Sequence, residues 1–160
     1  MKKQKIEVAL EVYETISELP KAIQELMYKA QQAREHAYAP YSRFRVGAAL
    51  RLASGEIVLG NNQENAAFPS GLCAERVAVF NAGANFPDKT ITALAITVRA
   101  ESHQVTEAIA PCGACRQSLA EYEQKQKTPI AIYFMGETGQ IFKVASVKDL
   151  LPLGFDAKYL

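Results

Sequence analysis

The residues with the clearest chemistry are the three cysteines, Cys73, Cys112 and Cys115. Cys112 and Cys115 are three positions apart, a spacing that puts both side chains on one face of a helical turn. Each cysteine stretch resembles a helix start, and the unpaired N–H groups of a first turn favour thiolate over thiol. Thiolates from two such turns can converge on one Zn²⁺ and leave a fourth tetrahedral position open.

Glu75 follows Cys73 by two positions and would stand beside that open position. A carboxylate there can act as the general base and acid that a metal-activated water requires. Zinc with three thiolates carries a net negative charge, so a cation should lie close by. Arg76 is the best candidate to donate hydrogen bonds to cysteine sulfur, and Gln117 could do so from the other helix.

Two other interpretations of the cysteines stay open at this point. A closed structural zinc site would need His36 or His103 as its fourth ligand, and neither histidine lies near the cysteine motifs. A redox dithiol would leave Cys73 and Glu75 without a role. Glu75 could also serve only as an acidic residue that stabilises the first turn of a helix.

Composition excludes several classes of protein. The chain has 160 residues, 49% of them hydrophobic and 22% charged, which is the balance of a single globular domain. Its formal net charge is only +1, so no overall field attracts nucleic acid or an anionic membrane. We find neither a secretory signal nor a membrane span, and an odd number of cysteines indicates a reducing compartment. The expected location is the cytoplasm.

Hydrophobic periodicity predicts the elements that must position these residues. It predicts helices over residues 20–37, 73–84 and 112–125, with a short helical turn over 149–152. It predicts strands over residues 44–52, 57–60, 91–99, 130–135 and 140–144. The first two strands should form a hairpin, and the last two are joined by too few residues to be parallel.

These elements predict a three-layer α/β/α domain over residues 20–160, with a five-stranded mixed sheet whose last two strands are antiparallel. Residues 1–19 form an N-terminal extension before it. Within this extension Ile6, Val8, Leu10 and Val12 alternate with other residues, which indicates a strand or an extended arm. We expect the arm to add a strand to a sheet edge or to pad a subunit interface.

Four stretches together resemble the small homotetrameric zinc-dependent cytidine deaminases. The resemblance covers roughly residues 30–155, and the motifs follow in matching order and spacing. The four stretches are Tyr41-Ser42-Arg43-Phe44-Arg45-Val46-Gly47-Ala48-Ala49, Asn62-Gln63-Glu64-Asn65-Ala66, Cys73-Ala74-Glu75-Arg76 and Pro111-Cys112-Gly113-Ala114-Cys115-Arg116-Gln117. The likeness implies a cytidine deaminase-like fold.

The resemblance also implies an activity in pyrimidine salvage. It implies that Cys73, Cys112 and Cys115 bind one Zn²⁺ per subunit and that Glu75 shuttles protons. Zinc-bound hydroxide would attack C4 of cytosine while Glu75 delivers a proton to N3. The implied reaction converts cytidine and 2′-deoxycytidine to uridine and 2′-deoxyuridine plus ammonia.

The remaining site residues are likewise implied by the resemblance. Asn62 and Glu64 match positions that hydrogen-bond the ribose, and Phe44 matches an aromatic that lines the nucleoside pocket. Ala74 is expected to contact the substrate as well. Phe155 matches an aromatic that stacks on the pyrimidine from a neighbouring subunit, so the family implies a homotetramer with shared active sites.

Three rival functions remain at this point. A polynucleotide editor needs a basic groove with aromatic platforms, for which a near-neutral chain without tryptophan offers little. A nucleoside-antibiotic deaminase would share the zinc motifs, although the stretch Asn62-Gln63-Glu64-Asn65 favours a substrate with ribose. A zinc-stabilised interaction protein without turnover is the third. We therefore expect a small nucleoside as partner, and neither nucleic acid nor a membrane.

Overall fold

A mixed six-stranded sheet runs through the computed structural model, which describes residues 1–160. Its strands are β1 (Glu11–Tyr13), β2 (Phe44–Leu52), β3 (Ile57–Asn61), β4 (Ile91–Ala100), β5 (Ala131–Phe134) and β6 (Ile141–Val144). The helices are α1 (Lys21–Glu35), α2 (Ala74–Asn85), α3 (Gly113–Gln126) and α4 (Val147–Leu150). No helix combines the length and the hydropathy that crossing a membrane requires.

The strands lie in the order β1-β6-β5-β4-β2-β3. Only β4 and β5 are parallel, and the connection between them contains α3. The predicted hairpin is confirmed, because β2 pairs antiparallel with β3. The predicted antiparallel pairing of the last two strands is confirmed as well.

The helices cover the two faces of the sheet. On one face α1 buries Leu26, Met27 and Ala30 against Ala49 and Ala95 of the central strands. On the other face α2 and α3 pack over a larger core that includes Ala78, Val79, Leu94, Ile96, Leu119 and Ile132. Strand β4 contributes to both cores, since its side chains alternate between the faces. This arrangement explains the nearly continuous apolar run of that strand.

Two glycines let helices approach the sheet closely. A Cβ at Gly47 would lie 2.0 Å from the carbonyl oxygen of Ala30 in α1. A Cβ at Gly60 would lie 2.3 Å from the carbonyl oxygen of Ala74 and 2.5 Å from the N of Ala78. Side chains are excluded at both positions, so the start of α2 rests directly on β3.

A buried carboxylate organises the C-terminal elements. Glu123 of α3 accepts hydrogen bonds from the N–H of Ile130 at 2.8 Å and of Val147 at 3.0 Å. It also accepts from Ser146 Oγ at 2.5 Å. One side chain thus ties α3 to the entry of β5 and to the first turn of α4, after which the C-terminal tail begins.

The prediction of five strands is wrong, because the N-terminal extension supplies a sixth. Strand β1 pairs antiparallel with β6, with Glu11 opposite Lys143 and Tyr13 opposite Ile141. An ion pair of 2.7 Å between Lys143 Nζ and Glu11 supports this register. Strand β1 has only three residues, whereas the apolar alternation in the sequence predicted an extended segment over residues 6–12.

The other predicted elements are present with small shifts at their ends. The first helix ends at Glu35 and not at Ala37, and the C-terminal helical turn is Val147–Leu150. Helix ends depend on caps as well as on periodicity, so differences of this size are normal.

Candidate metal centre and pocket

The three cysteines meet where α2 and α3 begin. Cys73 is the N-cap residue of α2, and Cys112 is the N-cap residue of α3. Cys115 lies in the first turn of α3 and is fully buried. The Sγ atoms of Cys73 and Cys112 are 3.8 Å apart, those of Cys112 and Cys115 are 3.5 Å apart, and all three lie within 4.8 Å of one another.

These separations fit a zinc ion. Tetrahedral zinc with Zn–S bonds of about 2.3 Å places its sulfur ligands about 3.8 Å from each other. All three cysteines are free thiols, so each sulfur is available as a ligand. The three residues could therefore hold one Zn²⁺. No histidine belongs to the cluster, and the structure gives no support to a closed site with His36 or His103.

The electrostatics of the cluster favour thiolate at Cys73. Hydrogen bonding with Cys115 outweighs the effect of burial and, together with Cys112 and Arg76, lowers the pKa of Cys73 to about 5. The reciprocal hydrogen bond with Cys73, followed by burial, raises the pKa of the Cys115 thiol. The cluster thus favours thiolate at Cys73, the form of cysteine that binds a metal.

Arg76 is the cation that the sequence assigns to this charge. Its Nε is buried and has no hydrogen-bond partner in the chain. Its guanidinium nevertheless lies close enough to Cys73 to help lower the pKa of that thiol. The predicted hydrogen bond from Arg76 to cysteine sulfur therefore stays a prediction, and the observed contribution of Arg76 is its positive charge beside Cys73.

Glu75 lies in the first turn of α2 and is only 4% exposed. Burial raises the pKa of its carboxyl, and the negative charge of Cys73 raises it further. A carboxyl that retains its proton more readily than usual can serve as an acid as well as a base.

A cavity of about 810 Å³ opens beside the cysteines. Its walls include seven of the predicted site residues: Phe44, Asn62, Glu64, Cys73, Glu75, Arg76 and Cys112. Val46, Ile96, Val98 and Ile109 add apolar surface. A second cavity of about 210 Å³ lies at the far ends of α2 and α3 and has no cysteine in its walls. The larger cavity is therefore the candidate active site.

Asn62 lies just beyond β3 and is almost fully buried. Its Oδ1 accepts from the N–H of Val46 at 2.8 Å, and its Nδ2 donates to the carbonyl of Phe44 at 2.8 Å. The amide group therefore holds the first part of β2 and faces the cavity at the same time. One donor and one acceptor position of the side chain remain for a ligand.

Glu64 holds the turn that precedes β2. Its carboxylate accepts from the N–H groups of Tyr41 at 2.9 Å and Ser42 at 3.2 Å, and from the hydroxyl of Ser42. Burial would raise the pKa of this carboxyl, but the hydrogen bonds from Ser42 and Tyr41 outweigh burial and lower it. Glu64 thus remains ionised at the cavity rim.

The remaining predicted residues lie outside the cavity walls. Ala74 is the fully buried first residue of α2. Phe155 lies in the C-terminal tail, 59% exposed, and stacks on Tyr159 with a centroid distance of 5.7 Å. The Nε2 of Gln117 donates to the carbonyl of Phe155 at 2.9 Å. Contact of Gln117 with the cysteine sulfurs stays a prediction.

Sequence reasoning missed some residues that shape the site. Ile109, in the irregular segment before α3, lines the cavity, and no periodic pattern marks that segment. Arg116 donates to the carbonyls of Pro111 at 2.7 Å and Leu150 at 3.0 Å, which ties the cysteine loop to α4. In the sequence, only its place directly after Cys115 indicated that Arg116 belongs to the site.

Comparison with known proteins identifies similar sequences. The family model described as "Cytidine and deoxycytidylate deaminase zinc-binding region" matches residues 20–131. The chain is 40% identical over 135 residues to a cytidine deaminase of Halalkalibacterium halodurans, an alignment that covers 84% of this chain and 95% of that protein. It is 37% identical to a cytidine deaminase of Sporosarcina psychrophila, with coverage of 86% and 94%.

Solved structures agree with the sequence comparison. The crystal structure of cytidine deaminase from Burkholderia pseudomallei superposes with a TM-score of 0.71 at 39% identity, covering 82% of this chain and 97% of that chain. Cytidine deaminase from Mycobacterium tuberculosis superposes with a TM-score of 0.65 at 32% identity, with coverage of 84% and 97%.

Proposed function

Since the chain belongs to the cytidine and deoxycytidylate deaminase family, we propose that it hydrolyses cytidine and 2′-deoxycytidine to uridine and 2′-deoxyuridine. Water adds at C4 of the pyrimidine, the bond from C4 to the exocyclic nitrogen breaks, and ammonia leaves. The products are the nucleosides of uracil, so the reaction has a place in pyrimidine salvage.

Cys73, Cys112 and Cys115 would hold the zinc ion, and their sulfur separations support this assignment. When bound, zinc lowers the pKa of a water ligand and so supplies a nucleophile at neutral pH. The first turns of two helices, together with Arg76, offset the negative charge of the three thiolates.

Glu75 would move the protons of the reaction. Its carboxylate oxygen accepts a proton from the attacking water and passes it to N3 of the ring. The same carboxylate then takes the proton of the new C4 hydroxyl and passes it to the departing amino group, which leaves as ammonia while the C4 carbonyl forms. Its near-complete burial supports this role, because burial raises the pKa of the carboxyl and so makes its carboxylate a stronger base toward the attacking water.

The cavity would hold the rest of the nucleoside. Asn62 and Glu64 are proposed to hydrogen-bond the ribose, supported by their position in the wall and by the spare hydrogen-bonding capacity of Asn62. Phe44, Val46 and Ile96 supply apolar surface against the planar base and exclude water from it. Ala74 would place its backbone next to the base at the start of α2.

A neighbouring subunit would complete the pocket. Phe155 is exposed and lies outside the cavity of its own chain, and Gln117 holds its backbone. An aromatic side chain held in this way is suited to stack on a pyrimidine bound by another copy. This supports a homotetramer with shared active sites.

The observation that carries the proposal is the meeting of three cysteine sulfurs with a buried glutamate at one large cavity. The test is to mix the zinc-loaded protein with cytidine and to follow the ultraviolet change to uridine, with ammonia measured in parallel. We expect stoichiometric uridine and ammonia. A protein that binds one zinc per chain but releases no ammonia from cytidine or 2′-deoxycytidine would contradict the proposal.

A further inference from the structure

The segment before β1 has no partner in its own chain. Residues 1–10 are all exposed, and none of their backbone groups forms a hydrogen bond with the rest of the chain. The match to the deaminase family begins only at residue 20. The segment from residue 3 to residue 13, here called the arm, is therefore not needed to build the pocket.

One face of the arm is apolar. Ile6, Val8, Leu10 and Val12 alternate along it, and they remain 50%, 45%, 46% and 48% exposed. Side chains at alternate positions of an extended chain share one face. Four large apolar side chains that share a face and remain half uncovered are unusual on a free surface and indicate a contact.

The charged side chains of the arm lie on its other face, and their sign changes from basic to acidic along the chain. Lys3 and Lys5 occupy its first half, and Glu7 and Glu11 occupy its second half. A parallel, in-register pair of arms would place like charges opposite each other, which is unfavourable. An antiparallel pair places the basic half of one arm against the acidic half of the other.

We infer that the arm forms an antiparallel strand pair with the arm of a second copy of this chain, centred on Val8. In this register Val8 faces Val8, Ile6 faces Leu10, and Lys5 faces Glu11. All four apolar side chains of each arm then lie on one face of the joint ribbon. The pairing repeats itself under a two-fold rotation, which is the symmetry of most homodimer contacts.

The position of β1 leaves the required edge free. Strand β1 uses one edge to pair with β6 over residues 11–13, and its other edge has no partner. Pairing there joins the two sheets into one and supplies partners for the backbone groups of residues 5–11. This inference is independent of the proposed deaminase reaction.

A register-specific disulfide tests the pairing. The variant Val8→Cys of the full, zinc-loaded chain is exposed to a mild oxidant and analysed without reductant. Directly opposed residues of an antiparallel pair have Cα atoms about 4.5–5.5 Å apart, which a disulfide can bridge. The matched control Glu7→Cys lies on the other face and is diagonal to its own copy at about 7–8 Å, beyond that range.

We expect about ten-fold more covalent dimer from Val8→Cys than from Glu7→Cys or from the unchanged chain, since only the first pair meets disulfide geometry. A mixture of Ile6→Cys and Leu10→Cys chains should cross-link to each other, whereas each variant alone should not. The inference is overturned if Val8→Cys and Glu7→Cys cross-link equally. It is also overturned if neither Val8→Cys nor the mixture gives covalent dimer.

Discussion

Glu75 combines near-complete burial with a place beside the sulfur cluster that could hold one zinc ion. We predict that Glu75→Gln retains zinc and fold but loses deaminase activity by a factor of about 10² or more, because proton transfer is lost. The measurements are the initial rate with cytidine and the zinc content per chain. Glu121→Gln, an exposed change on α3, serves as the control.

The interpretation fails if Glu75→Gln retains more than about a tenth of the control's rate, since a lost acid/base costs far more. Loss of zinc in this variant would instead assign Glu75 to the structure of the site. The zinc measurement therefore separates the two roles.

Glu64 gives a prediction about pH and stability. The folded-state pKa of its carboxyl lies below its ordinary value of 4.5, because hydrogen bonds from Ser42 and Tyr41 outweigh burial. Its stabilising effect is therefore complete above that ordinary value, and it is lost as the pH falls through the folded-state pKa. The stability difference between the unchanged chain and Glu64→Gln should accordingly shrink from neutral to acidic pH.

The measurement is the free energy of unfolding in urea at about pH 7 and at about pH 3, the second of which lies below the ordinary pKa of the carboxyl. Glu121→Gln should differ from the unchanged chain by the same small amount at both pH values. A difference for Glu64→Gln that stays constant or grows toward acid would show that the hydrogen bonds do not favour the ionised form.

At the scale of elements, the contact between β3 and α2 positions the metal site. A Cβ on Gly60 would lie 2.3 Å from the carbonyl oxygen of Ala74, so α2 must shift to admit it. We predict that Gly60→Ala costs roughly 1–3 kcal/mol of stability. It should also weaken zinc retention, because α2 carries Cys73 at its N-terminus.

Gly113→Ala is the matched control, since a Cβ at Gly113 meets nothing within 4 Å. Unfolding in urea and zinc loss to a chelator are the measurements. A Gly60→Ala protein as stable as Gly113→Ala, with equal zinc retention, would mean that α2 absorbs the shift without moving its cysteine.

At the scale of the whole molecule, the N-terminal extension belongs to the sheet and to the core beside it. Tyr13 and Ile16 pack against the core under α1, and β1 covers the edge of β6. We predict that removal of residues 1–18 lowers stability by roughly 2–4 kcal/mol relative to removal of residues 1–10, because apolar surface is uncovered. Thermal unfolding of the two truncated proteins at equal concentration measures the difference.

The shorter truncation already lacks most of the arm, so the comparison isolates β1 and the turn after it. Increased aggregation of the longer truncation is also expected, since the edge of β6 becomes free. Identical melting temperatures would show that β1 adds no stability to the sheet.

Much of the site could be predicted because its signals are local. The spacing of Cys112 and Cys115, the cysteines at two helix starts and the carboxylate after Cys73 all lie within single turns of helix. The hairpin of β2 and β3 was predicted in the same way, from a short turn between alternating apolar runs. Periodicity and capping act over a few residues, so they can be recognised without knowledge of the fold.

Contacts between distant segments could not be predicted in this way. Glu11 pairs with Lys143, Gln117 holds Phe155, and Ile109 completes a cavity wall with residues of other elements. An apolar alternation shows that a strand needs a partner but does not say which edge it will join. The convergence of side chains from separate strands, helices and loops depends on how the sheet is ordered and packed, and only the folded chain establishes that order.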